Sequence, residues 1–279
     1  MPTLVTGAAN LVGRAAIHAL LAAGGEVRAF LDPLDAPEGT VEGLRSLGVK
    51  TARGALDDEG HLELACEQVH TIVHAAAADP MSDDVDAVLD DAATVLSAAL
   101  GANCRRIVLV SHLGADDPAG NRWLDALGEA EQMLADAPID SVAVRRSLTY
   151  GLHDPLTETV IEGAPGADLE AIHAPIWVDD LAAGLVAADA RDRAQGAVPH
   201  LVIPLPGPSD CSLGEFVALL GGQITGGIRS SIARARPGGD RLPPHVLDLL
   251  SRSLPTDPSA PSAGTTPEVG AALVREDRE

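Results

Sequence analysis

The chain has 279 residues, 46 % of them apolar, enough to bury a substantial core in one large domain or a large and a small one. A formal net charge of −22, with one lysine and 18 arginines against 41 acids, excludes nucleic acid and anionic membranes, because phosphate contacts need clustered basic residues. No apolar run reaches membrane-spanning length, and Cys66, Cys104 and Cys211 lie too far apart for a metal site, reading as buried thiols of a reducing, cytoplasmic protein.

A short apolar strand from Thr3 runs into a turn that holds Gly7 and Gly13. This apolar start reads as a strand and turn rather than a signal peptide. An Ala/Leu-rich helix is predicted over Arg14–Ala23, then a second strand over Glu26–Leu31 that ends on Asp32. That order suits a dinucleotide. Glycines let the backbone turn tightly against a pyrophosphate, and a helix N-terminus offers its unpaired N–H groups to it. An acid about 20 residues on takes the ribose hydroxyls of the adenosine. One position departs from the pattern: Asn10 stands where the middle glycine usually falls.

Further strands are predicted at Val49–Arg53, Thr71–Ala75, Arg106–Ser111 and Ser141–Arg145. Helical patterns alternate with them at Glu42–Leu47, Glu59–Gln68, Asp86–Gly101 and Trp123–Ala135. The strands are short β-branched runs without clean alternation, as expected when both faces are covered. The class is therefore α/β, a Rossmann-type doubly wound parallel sheet, with the ligand at the carboxyl ends of the strands. The acids between Asp83 and Asp91 read as a solvated helix start, since no His or glycine-turned loop joins them as a metal site would require.

From about Tyr150 the alternation breaks down. Strands shorten (Leu201–Ile203, Ile228–Ile232) and helices look isolated (Asp179–Asp189, Leu213–Leu220), while Leu254–Pro267 reads as an extended connector before a last short helix. The division expected is a dinucleotide-binding domain over 1–150 and a smaller C-terminal substrate or lid lobe over 151–279, interleaved with the sheet rather than independent.

These segments together resemble the extended or atypical short-chain dehydrogenase/reductases, in the group of NAD-dependent epimerase/dehydratases and NmrA-like proteins. Val5-Thr6-Gly7-Ala8-Ala9-Asn10-Leu11-Val12-Gly13 is similar to that family's T-G-x-x-G-x-x-G, and Arg53-Gly54-Ala55-Leu56-Asp57-Asp58 to its G-D-L-x-D stretch. Ile72 to Ala76, Arg106 to Gly114, Arg145 to Gly151, Ile176 to Ala182 and Pro208 to Phe216 resemble its later motifs in the same order. The resemblance implies a cofactor seat made of Gly7, Asn10, Leu11, Val12, Gly13, Asp32, Ala55, Leu56, Ala75 and Ala76. The acid at Asp32 favours NAD over NADP, because it bonds both ribose hydroxyls and repels a 2′-phosphate. Ala55 replaces the acid that usually holds the adenine amino group. Homodimerisation through Asp86–Gly101 and Trp123–Ala135 is a further implication.

The family's chemistry rests on Tyr-x-x-x-Lys on the helix after the fifth strand. Counting back from Glu129-Ala130-Glu131, the tyrosine position falls on Trp123 and the lysine position on Leu127. The only tyrosine is Tyr150 and the only lysine is Lys50, so no register assembles the pair. General acid–base help is typically worth roughly 10²–10⁴-fold, and an indole N–H does not exchange a proton near neutral pH. Ser111 and His112, with Trp123 as an apolar wall, are the expected substrate-pocket residues. Two readings follow: a dinucleotide-binding sensor or interaction protein without the Tyr/Lys mechanism, or an NAD-dependent oxidoreductase or epimerase/dehydratase-like enzyme acting on a small molecule or nucleotide sugar through Ser111/His112.

Overall fold

Apolar runs with no polar face must be covered on both sides. In the computed structural model, which describes residues 2–32, 36–82, 84–191, 200–221, 242–254 and 264–278, they form one parallel sheet between two helix layers. The first half runs β1 (Thr3–Thr6), α1 (Leu11–Ala22), β2 (Val27–Leu31), α2 (Thr40–Ser46), β3 (Lys50–Arg53), α3 (Glu59–Ala65) and β4 (Thr71–His74). It continues through α4 (Ala87–Gly101), β5 (Arg106–His112), α5 (Arg122–Asp136) and β6 (Asp140–Arg146). The second half adds β7 (Thr149–Tyr150), α6 (Pro155–Ile161), β8 (Ile172–His173), β9 (Ile176–Trp177), α7 (Val178–Asp189) and β10 (His200–Leu205). It ends with β11 (Cys211–Ser212), α8 (Leu213–Leu219), α9 (Pro244–Ser251) and α10 (Pro267–Arg278).

The sheet order is β10-β6-β5-β4-β1-β2-β3 with every pair parallel. Succession reverses between β1 and β4, so their carboxyl ends flank the switch point where this architecture opens a crevice. Leu62, Val95 and Leu127 from α3, α4 and α5 fill the core on one face. Ile17, Leu44 and Leu181 from α1, α2 and α7 fill it on the other. A third apolar cluster gathers Tyr150, Trp177, Phe216 and Leu250 from the second half.

Several boundaries move for local reasons. α1 starts at Leu11, three residues before the predicted Arg14, because Asn10 caps it and accepts from the Gly13 N–H at 2.8 Å. α3 stops at Ala65 rather than Gln68, where the backbone turns left-handed (φ 61°). The helix that looks isolated at Asp179–Asp189 is α7, which shares a core with α1, and the Leu201–Ile203 strand lengthens into β10 on the main sheet beside β6. The predicted strand Ile228–Ile232 and most of the predicted connector lie outside the described residues. Among the described residues, no helix is long and apolar enough to cross a membrane.

Candidate functional site

A cavity of about 1200 Å³ opens at the carboxyl ends of β1, β2 and β4 and extends to the segment after β6. Gly7, Asn10, Leu11, Val12, Asp32, Ala55, Leu56 and Ala76 all line it. Gly13 and Ala75 do not, and they hold the turn from behind. Gly7 has φ +63°, and a Cβ there would lie 2.6 Å from the Ala76 nitrogen. A Cβ on Gly13 would lie 2.1 Å from the Gly7 carbonyl oxygen. Both positions therefore exclude any side chain, which is what a backbone cradle closing on a diphosphate demands.

Asn10 explains the missing middle glycine. Its Oδ1 accepts from Gly13 N–H and its Nδ2 donates to the Ala75 carbonyl at 2.8 Å, so one side chain caps α1 and ties it to the end of β4. The N–H groups of Leu11 and Val12 begin the helix without intrahelical acceptors. The cradle thus fits a dinucleotide: the head of α1 suits the pyrophosphate, and Asp32, directly after β2, suits the adenosine ribose.

The acids that read as a solvated helix start are exposed at Asp84, Asp86 and Asp90 and also stand on this cavity. Asp84, Asp86, Asp90 and Asp91 line it together with Asp57. The Asp91 carboxyl is pushed up to about 6, first by burial and then by the charges of Asp57, Asp84, Asp90 and Asp32. Only packing reveals this, because α4 packs against α3 and sets its acids beside Asp57 at the cavity.

Ser111, His112 and Trp123 come together on the β5–α5 side, each about 1 % exposed, and none lines the cavity. The Ser111 hydroxyl donates to Glu131, whose carboxylate also takes Arg145 Nε at 3.0 and 3.1 Å and Arg145 Nη2 at 2.7 Å. His112 Nδ1 lies 2.7 Å from the Leu113 carbonyl and therefore carries the proton. Burial and the neighbouring Arg146 guanidinium hold its pKa well below the usual histidine value, so the ring is neutral. Its edge meets the Trp123 indole at 5.4 Å.

His74 is likewise a packed, neutral residue: its Nδ1 pairs with Thr6 Oγ1 at 2.8 Å, and burial lowers its pKa to about 4. Tyr150 packs against Trp177 and Phe216 at 5.3 and 5.0 Å, with its hydroxyl pressed against Gly270. Lys50 is exposed at the start of β3, the opposite end of the sheet from the cavity. The residues that sequence reading missed are Arg146, Thr149, Asp154 and Leu156, which close the far end of the cavity. Arg146 and Thr149 fall in the Arg145–Gly151 stretch that resembles a family motif, and Asp154 and Leu156 follow it without a signal of their own.

The fold and cradle define a dinucleotide-binding Rossmann protein. A family model described as NAD(P)H-binding matches residues 7–188, and the chain belongs to that family. Sterol demethylase protein B of Methylococcus capsulatus is 36 % identical over 120 residues, 41 % of this chain and 35 % of that protein. The chain therefore matches only about a third of that relative's length. A UDP-glucose 4-epimerase from Thermotoga maritima, solved with UDP-glucose, superposes with a TM-score of 0.73 at 15 % identity, covering 100 % of both chains. One from Bifidobacterium longum, solved with NAD+ and UDP, gives 0.69 at 19 % identity over 98 % of this chain and 96 % of the other. At such identities the likeness is one of fold.

Proposed function

We propose that this protein binds NAD in preference to NADP and acts as a dinucleotide-binding sensor or interaction protein that does not use Tyr/Lys chemistry. The observation that carries the reading is an intact cradle in a chain whose single tyrosine is packed in the interior and whose single lysine sits at the far end of the sheet. When bound, a nicotinamide supplies a hydride acceptor or donor. The chain's own residues hold and orient it: Leu11 and Val12 N–H at the diphosphate, Asp32 at the adenosine ribose. Three thiols without a disulfide suit a reducing, cytoplasmic setting, and α4 and α5 are the faces through which a homodimer would form.

The second reading is an NAD-dependent oxidoreductase or epimerase/dehydratase-like enzyme on a small molecule or nucleotide sugar. It is favoured by the cavity volume, about 1200 Å³, which exceeds the roughly 300–1,000 Å³ of an ordinary ligand pocket. Second-half elements at its far end would then serve as the substrate lobe. Calorimetry with NAD(H) and NADP(H), followed by a screen of alcohols, ketones and nucleotide sugars for a change in nicotinamide absorbance, separates the two. Tight binding without turnover supports the sensor. Turnover lost on changing Ser111 or His112 overturns it.

Asp32→Ala is expected to weaken NAD binding by roughly tenfold or more, the loss of charge-assisted bonds to the ribose hydroxyls. An unchanged preference for NAD over NADP in that variant would defeat the assignment. Affinity should also depend on pH. Asp91 is ionised above about pH 6 and neutral below it, and only the ionised form repels an anionic dinucleotide in the shared cavity. Binding should therefore tighten as pH falls from 7.5 to 5.5, by roughly threefold for a half-unit shift of Asp91 on binding. Asp91→Asn should flatten that profile, and an unaltered slope would assign the effect elsewhere.

A further inference from the structure

Two cysteines 38 positions apart meet at the end of the sheet away from the cavity. Cys66 closes α3 shortly before β4, and Cys104 follows α4 shortly before β5. Both therefore stand where strands begin, whereas the cavity opens where strands stop. Their backbones are pinned: the Cys66 N–H donates to the Leu62 carbonyl at 2.9 Å and the Cys104 N–H to the Ala99 carbonyl at 2.8 Å. Asn103, left-handed at φ 56°, turns the chain after α4. The Cys104 thiol donates to the Cys66 carbonyl at 3.9 Å, and the two thiols lie within hydrogen-bonding reach of each other.

The pair is not symmetric. Cys66 is fully buried, whereas Cys104 is 8 % exposed. Arg28 stands beside them, its Nη1 donating to the Ala65 carbonyl and, at 3.1 Å, to the Glu67 carbonyl. The hydrogen bond from Cys66 holds the Cys104 thiol below its ordinary value, with burial opposing and the Arg28 charge assisting. Cys66 is pushed up, first by the bond it donates and then by burial. A reachable thiolate beside a protonated, buried thiol is the arrangement of an attacking and a resolving cysteine. In a reducing compartment such a pair forms its disulfide transiently, as redox chemistry.

We propose that Cys66 and Cys104 form a reversible disulfide on contact with hydrogen peroxide, Cys104 attacking and Cys66 resolving. The Cys104 thiolate attacks one peroxide oxygen: an S–O bond forms, the O–O bond breaks, and hydroxide leaves and takes up a proton as water. The Cys66 sulfur then attacks Cys104 and gives up its proton. An S–S bond forms, the S–O bond breaks and a second water departs. Two thiols lose two electrons and one peroxide is reduced to two waters. A thiol reductant returns the pair by exchange. Burial selects the oxidant, because peroxide reaches a sulfur that a bulky disulfide does not.

The test treats the folded full chain briefly with hydrogen peroxide, then maps it under denaturing, non-reducing conditions. The three thiols of the chain should fall to one, with one peptide joining Cys66 to Cys104, and dithiothreitol should restore all three. Cys211 is the internal reference. It is more exposed than Cys104, but burial and the charges of Glu215, Glu268 and Asp210 push its thiol up to about 12. Cys104 should therefore react roughly tenfold or more faster, the order opposite to exposure. In Cys66→Ser, dimedone should trap a sulfenic acid on Cys104. In Cys104→Ser, Cys66 should stay reduced.

A joined peptide that appears only after urea has unfolded the chain, or Cys211 reacting as fast as Cys104, overturns the proposal. Dimedone captured on Cys66 in Cys104→Ser overturns the assignment of roles. Glutathione disulfide forming the bond faster than peroxide at equal concentration overturns the choice of oxidant. Should either variant fail to fold, the peptide map and the relative rates on the wild-type chain still decide.

Discussion

Gly13→Val should remove dinucleotide binding from an otherwise folded protein. A Cβ at this position lies 2.1 Å from the Gly7 carbonyl oxygen and 2.7 Å from its carbon, both backbone atoms that no rotamer change can move aside. The α1 N-terminus must shift away from the β1 turn, and the Gly13 N–H can no longer reach Asn10 Oδ1, now 2.8 Å away. Overpacking of this kind costs about 1–3 kcal/mol of stability. The greater loss falls on binding, because the Leu11 and Val12 N–H groups are displaced from the diphosphate position. Calorimetry should show NADH affinity reduced by roughly a hundredfold or more, the weight of two charge-assisted bonds at about 1.5 kcal/mol each. Affinity within threefold of wild type, with the thermal melt intact, would place the diphosphate elsewhere.

Glu131→Ala should be the most destabilising substitution on the β5–α5 side. Glu131 is 5 % exposed and accepts from three donors at once: Arg145 Nε and Nη2, and the Ser111 hydroxyl. Removing it leaves a half-buried guanidinium and a buried hydroxyl without their acceptor, a loss of about 3 kcal/mol. For a chain of this size that is a fall in Tm of roughly 6–12 °C. Asp116→Ala is the control. Asp116 pairs with the same arginine, but its side chain is 65 % exposed, so its loss should stay within about 0.5 kcal/mol. A Glu131→Ala melt within about 2 °C of wild type would show that the network contributes little. The same pair of variants bears on Ser111, whose hydroxyl is occupied by Glu131 rather than turned to the cavity.

Much of the fold is legible because its signals are local. The parallel sheet follows from short β-branched runs separated by helical patterns, and the cradle from Gly7, Gly13 and Asp32 within one strand–helix–strand unit. Asn10 looks like a flaw in that unit until Ala75, 65 residues away, is brought within 2.8 Å of its amide. Helix ends shifted wherever a cap or a left-handed residue outweighed periodicity, as at Asn10 and Gln68.

The sequence by itself determined the class of the protein, the glycine turn and acid that we propose as its dinucleotide seat, and the absence of a Tyr/Lys pair. Each depends on residue identity, or on spacing within about 30 residues. Only the tertiary structure decided which side chains share the cavity. Asp57, Asp91 and Arg146 come from three different segments and meet there because α4 packs against α3 and the parallel sheet aligns the end of β6 with those of β1 and β4. It also decided that His112 and Trp123 are buried behind Arg146, which lines the cavity while they do not. Burial and charge at a site are sums over neighbours distant in the chain, and no local pattern encodes such a sum.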